Sequence, residues 1–196
     1  NDNEHVLKFY YTSGPKYDSE GRFIVRNNDD WNEAVRMVKD GQLTYEKVIM
    51  TLADKDDWMT FSNRVKNNSV KLNAVMLCDI DLSDYQEMIG KYKNGYAGVF
   101  DGLGHTLTVN YDNDDTRTAP CWLVNGATIK NLTVSGRIAC SDKFTGGLIG
   151  EVVEKGGATI DRCVVDAEIL STVNGDASSG GLIGIMNRES KASITN

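Results

Sequence analysis

Apolar residues recur at helical spacing twice in the first half of the chain. Trp31, Ala34, Val35 and Val38 share one helix face, and Trp58, Phe61, Ser62 and Val65 share another, with Ser62 as the polar intruder. Each set opens on an Asp pair, Asp29-Asp30 or Asp56-Asp57, whose carboxylates can accept hydrogen bonds from the free N–H groups of a first turn. An apolar run of strand length and composition follows each, at 47–52 and at 74–80. The two copies lie at an offset of 27, which also carries Val38-Lys39 onto Val65-Lys66 and Asp54 onto Asp81. Two helix-strand units are therefore expected over 29–82. Ahead of them, apolar stretches at 6–11 and 23–26 flank Gly14-Pro15 and read as N-terminal strands or a hairpin within 1–28.

Further along, the period falls to two. Leu132, Val134 and Ile138 are apolar where Thr133, Ser135 and Arg137 are polar, and a later copy sets Cys163, Val165 and Ile169 against Asp166 and Glu168. Whole phrases return as well. Gly146-Gly147-Leu148-Ile149-Gly150 recurs as Gly180-Gly181-Leu182-Ile183-Gly184 at an offset of 34. Ala127-Thr128-Ile129 recurs as Ala158-Thr159-Ile160 at an offset of 31, and as Ala192-Ser193-Ile194 after a further 34. Trp122-Leu123-Val124 stands where the glycine phrase falls in the earlier copy, and the stretch 105–109 reads as a degenerate first copy. Short strands in such repeats point to a solenoid, whose stacked repeats bury together what none buries alone. The first end of a parallel stack exposes unpaired backbone, so the helix-strand units are expected to cap it. The last copy stops at Asn196, and the expectation there is a chain that continues or a repeat covered by a partner.

The ordered phrases Asp79-Ile80-Asp81-Leu82-Ser83, Ile89-Gly90, Asp101-Gly102-Leu103-Gly104-His105, Ala127-Thr128-Ile129-Lys130-Asn131 and the two glycine phrases resemble the GLUG-motif family of secreted or surface-anchored bacterial proteins. The resemblance covers roughly 56–196. It implies a right-handed parallel β-helix, a single-stranded solenoid of mainly β class, located outside the cytoplasm, and it implies no reaction. With the α/β cap, the expected layout is one structural domain: 1–28, then the capping units at 29–82, then β-helix repeats over 83–196.

Charge narrows the partners. Twenty-one basic against 28 acidic residues give a net charge of −7, which lacks the positive field that a phosphate backbone requires, so nucleic acid is excluded. No apolar run has the length of a membrane-spanning helix. Cys78, Cys121, Cys140 and Cys163 form no C-x-x-C pair and have only His5 and His105 as potential co-ligands, so zinc is poorly served. Four cysteines allow three disulfide pairings. Cys163 falls at the position of Leu132 and reads as a small buried hydrophobe.

Three places carry candidate chemistry. Asp101 and His105 could form an acid-base pair, although the Asp-Gly and Leu-Gly steps between them are turn formers. The acidic loop 110–116 offers Asp112, Asp114 and Asp115; Asp112 and Asp114 are the candidate calcium ligands, with Arg117 as a compensating cation. Tyr85, Tyr92, Tyr96 and Tyr111 lie near amides and carboxylates, the mixture that a sugar site uses. Asn67-Asn68-Ser69 and Asn131-Leu132-Thr133 match the glycosylation pattern. Lys130 and Arg137 on one repeat, with Asp161, Asp166 and Glu168 on the next, are read as no cluster. The expected function is a non-enzymatic, extracellular or cell-surface bacterial module that contacts a glycan or another surface protein. Its candidate binding residues are Tyr96, Tyr111, Asp112, Asp114 and Asp115, with no catalytic residue and no cofactor beyond calcium. A polysaccharide lyase or hydrolase, or a structural spacer, is the alternative.

Overall fold

The computed structural model describes residues 10–91, 95–173 and 178–196. Both Asp-Asp-Trp segments are helices, α1 (Asn28–Lys39) and α2 (Lys55–Lys66). A reciprocal cap fixes each. Asn27 Oδ1 accepts the Asp30 N–H at 3.0 Å while Asp30 Oδ2 accepts the Arg26 N–H at 3.0 Å; Asp54 Oδ1 accepts the Asp57 N–H at 2.9 Å while Asp57 Oδ2 accepts the Ala53 N–H at 2.9 Å. The second Asp of each pair thus reaches back over the helix start, and the true N-caps stand three residues before it.

The helices alternate with the first strands: β1 (Phe23–Val25), α1, β2 (Val48–Leu52), α2, β3 (Asn73–Met76) and β4 (Ile80–Leu82). Strands alone follow: β5 (Val99–Asp101), β6 (Thr106–Asn113), β7 (Cys121–Val124), β8 (Ala127–Lys130), β9 (Thr133–Cys140), β10 (Thr145–Gly146) and β11 (Ile149–Val152). The last are β12 (Gly157–Asp161), β13 (Val164–Ser171), β14 (Ser179–Gly180), β15 (Ile183–Met186) and β16 (Lys191–Thr195).

These strands do not form the expected single-stranded right-handed β-helix behind a cap. They make four separate sheets, ordered β1-β2-β3-β5-β8-β12-β16, β13-β9-β6-β4, β15-β11-β7 and β10-β14, all of their strand pairs parallel, with the two helices packed alongside. The helix-strand units share a sheet with the later repeats, since their strands β2 and β3 follow β1 as the first three of the seven-stranded sheet. Parallel neighbours need a crossover of a dozen residues or more. Capped, helix-periodic sequence makes the first two crossovers α-helical, whereas the later segments are too rich in β-branched residues and glycine for that.

Register confirms some repeats and moves others. Ala127, Ala158 and Ala192 lie side by side, as do Ile129, Ile160 and Ile194. Cys121 to Val124 does pair with Ile149 to Val152. The stretch 105–109 belongs elsewhere: Leu107 pairs with Val134 in the four-stranded sheet, and Phe100 is the neighbour of Ile129. The apolar run at 74–80 also divides, between β3 and β4 of different sheets.

A continuous core links Phe23, Trp58, Phe61, Phe100, Val134, Ile149 and Ile160. Exposure along the isoleucine row is 1% at Ile129, 1% at Ile160 and 57% at Ile194 on the edge strand. At the other side, residues 10–13 are helical where a strand was expected, and residues 6–9 lie outside the described residues. The Arg26 guanidinium holds this segment by donating to the carbonyls of Tyr11 (2.8 Å), Tyr10 (3.1 Å), Gly14 (3.2 Å) and Pro15 (2.6 Å).

Candidate functional site

The alternation in β6, β9 and β13 buries Leu107 and Val134 and turns polar residues outward from the four-stranded sheet. One outward row is Asp81, Thr108, Ser135 and Asp166; the next is Asn110, Arg137 and Glu168. The Thr108 and Ser135 hydroxyls meet at 3.0 Å. Arg137 lies between two carboxylates, 3.1 Å from Asp112 and 3.5 Å from Glu168. Hydrogen bonds from the Ser83 hydroxyl and backbone N–H hold the Asp81 carboxyl below its ordinary pKa, so it stays an acceptor. Gln86 fixes the end of β6, donating to the Asn110 carbonyl at 2.8 Å and accepting the Asp112 N–H at 3.1 Å. Beside Arg137, Gly136 sits at φ 100°, and a Cβ there would stand 2.1 Å from the Val109 carbonyl oxygen, so only glycine lets the strand pass.

The sequence-predicted residues scatter around this face. Asp112 is part of it through Arg137. Asp114 is exposed, and Asp115 turns away to Lys91 at 2.6 Å. The three carboxylates therefore do not converge, and among the described residues no group of three or more His, Cys, Asp or Glu side chains is placed to hold a metal ion. Arg117 serves Glu151, not the acidic loop, and lies 4.5 Å from the centroid of the Trp122 ring.

Tyr96 and Tyr111 are core residues and offer no stacking surface. Tyr96 packs edge-on against Phe61 and donates to the Leu72 carbonyl at 3.1 Å; Tyr111 donates to the Glu87 carbonyl at 3.0 Å. Both are fully buried, and burial drives both phenols well above their ordinary pKa. Tyr85 is half-buried beneath Lys55, while Tyr92 lies outside the described residues.

Asp101 and His105 do not pair. His105 faces Asp79 at 3.4 Å, and its N–H closes a turn onto the Gly102 carbonyl. Asp101 accepts from Asn131 Nδ2 at 2.8 Å and lies 3.2 Å from Lys130. Asn131, committed to Asp101 and to Arg162 in a bend of positive φ, is poorly placed as a glycan acceptor. All four cysteines are free thiols, His5 lies outside the described residues, and Cys163 packs half-buried against the core. Burial raises the pKa of Cys121 and Cys163, which keeps both as unreactive thiols.

Of Lys130, Arg137, Asp161, Asp166 and Glu168, read as no cluster, the structure pairs Arg137 with Glu168, while Lys130 meets Asp101, Asp161 meets Arg162 and Asp166 lies beside Ser135 one row away. The signal was present, because the offset that aligns Ala127 with Ala158 also aligns Arg137 with Glu168. Gln86 carried no such mark. Comparison with protein-family models, curated proteins and solved structures finds no match. No helix among the described residues is long and apolar enough to cross a membrane.

Proposed function

We propose that the protein is a non-enzymatic, secreted or cell-surface bacterial module that holds a glycan against the outer face of the four-stranded sheet. The observation that carries this reading is Arg137 set between Asp112 and Glu168, one row from the Thr108 and Ser135 hydroxyls. Carboxylates, a guanidinium and hydroxyls together supply acceptors and donors to vicinal hydroxyl groups, each of which needs both. Neighbouring strands stand about 4.8 Å apart, close to the length of one pyranose unit, so a chain laid across them advances about one sugar per strand. The acidic background favours neutral or amino sugars over uronic ones.

A glycan array with the intact protein tests this, run with and without calcium because Asp112 and Asp114 are the candidate calcium ligands of the sequence. Saturable binding that Arg137→Ala weakens about tenfold supports the reading. Absence of binding to any neutral or amino-sugar polymer rejects it, and product release from a polysaccharide would replace it with the lyase or hydrolase reading.

A further inference from the structure

Arg64 is a charged side chain that the glycan face does not use. It shares a stripe of α2 with Asp56 and Thr60, four residues apart at each step. Its guanidinium stands 4.1 Å from the centroid of the Trp31 ring, and Trp31 stacks in turn on Tyr45 at 5.9 Å with 19° between the planes. Its hydrogen bonds go to Asn28 Oδ1 at 3.2 Å and to Met50 Sδ at 3.0 Å, the latter a weak acceptor. A guanidinium has five N–H donors, so donors remain. Partial burial lowers its pKa to about 10, because desolvation outweighs the attraction of Asp57. Burial likewise raises the pKa of Asp57.

Both groups face a cleft of about 260 Å3, lined also by Asn28, Asp56 and Thr60. Arg26 touches the same cleft, but its side chain is occupied by the carbonyls of the segment before β1. The wall therefore presents one available cation and two carboxylates. A simple anion attracted to Arg64 would be repelled by Asp56 and Asp57, and a simple cation would meet the reverse. A small ligand carrying both charges matches both.

We propose that this cleft binds a free α-amino acid, its carboxylate on Arg64 and the Asn28 amide, its ammonium on Asp56 and Asp57, with the Thr60 hydroxyl between. Arg64 and Asp57 attract each other without a direct ion pair, and a carboxylate on the guanidinium with an ammonium on Asp57 would add close-range partners to both. The volume suits a free amino acid and falls below the roughly 300 Å3 at which drug-sized pockets begin. This site is independent of the glycan face.

Isothermal titration of the full chain with each standard amino acid, and with acetate and methylammonium as half-ligands, provides the test. Tryptophan fluorescence gives a second readout, since Trp31 lies against Arg64. The expected result is saturable binding of at least one amino acid, at least about tenfold tighter than either half-ligand. Arg64→Gln and Asp56→Asn should each weaken it about tenfold, with thermal melts confirming that both variants fold. Asp56 is exposed and takes no part in the helix cap, so its variant separates binding from folding. The proposal is overturned if no amino acid gives a saturable signal, if acetate binds equally well, or if Asp56→Asn leaves the affinity unchanged.

Discussion

Trp31 and Trp58 open the same repeated phrase and follow the same helix cap, yet they end in different surroundings. Trp58 is 1% exposed, meets Phe100 edge-on at 5.8 Å and donates from Nε1 to the Glu87 carbonyl at 3.1 Å. Trp31 keeps one part in solvent and carries Arg64 on its ring. The same contrast runs along the helices: Trp58, Phe61, Ser62 and Val65 are buried in α2, but only Ala34 in α1. The cause is the neighbour. α1 packs on β1, whereas α2 packs on β2 and β4 and is also gripped by the segment after β4, through Ser62 to the Met88 carbonyl at 3.0 Å and the Lys66–Glu87 ion pair. A repeated phrase thus fixes backbone and caps, and the layer laid over it decides whether its aromatic becomes core or surface.

Alkaline pH should break this comparison most strongly. Tyr96, Tyr111 and Cys121 all lie on the covered side and hold their protons above the ordinary values of 10.0 for Tyr and 9.0 for Cys, which the unfolded chain retains. Their contribution to stability is complete below about pH 9 and is lost as pH rises toward the folded-state values, because only the unfolded chain can ionise them. Denaturant melts against pH should therefore fall steeply above pH 9, and Tyr111→Phe should soften that fall; a flat profile to pH 11 would contradict the burial of these groups.

Next in size, Trp58→Ala should cost about 3–5 kcal/mol, as large core truncations do. Trp31→Ala should cost about 1 kcal/mol, mostly through its lost contact with Arg64. Equal shifts in urea midpoint would erase the distinction between the two helices. A finer probe is Ser62, whose counterpart in α1 is Val35. Ser62→Val copies α1 into α2 but removes the donor to Glu87 Oε1 and the Met88 carbonyl, so about 1–3 kcal/mol should be lost despite the added apolar surface. The smallest effect belongs to what the copies share: Asn27→Ala and Asp54→Ala should each cost about 1 kcal/mol, and by similar amounts.

Much of the local structure was legible in the sequence. The capped helices, the alternation in β9 and the alanine and isoleucine rows follow from spacing alone. Sheet membership did not, because a period of two reports which side of a strand is buried, not which sheet it joins; hence the wrong place for 105–109 and the division of 74–80. Tyr96 and Tyr111 stayed open between a core or edge role and a binding one, since a phenol suits either setting once its hydroxyl has a carbonyl to donate to. The Arg137 face was available from the repeat offset. The Arg64 cleft was not, for it depends on Trp31 being left uncovered, and nothing in the α1 phrase distinguishes it from its buried copy.

The rise in exposure from Ile160 to Ile194 gives the molecule a direction in time as well as in space. Amides of β16 and β13 are held by one neighbouring strand each and shield little apolar surface, so they should open first and at low free energy. The interior strands β2 and β3, buried along their whole length, should exchange only on global unfolding. Melting would then travel through the sheets from one side, with the glycan face losing Asp166 and Glu168 on the edge strand β13 before Arg137 on β9, and the Arg64 cleft would be among the last places to come apart.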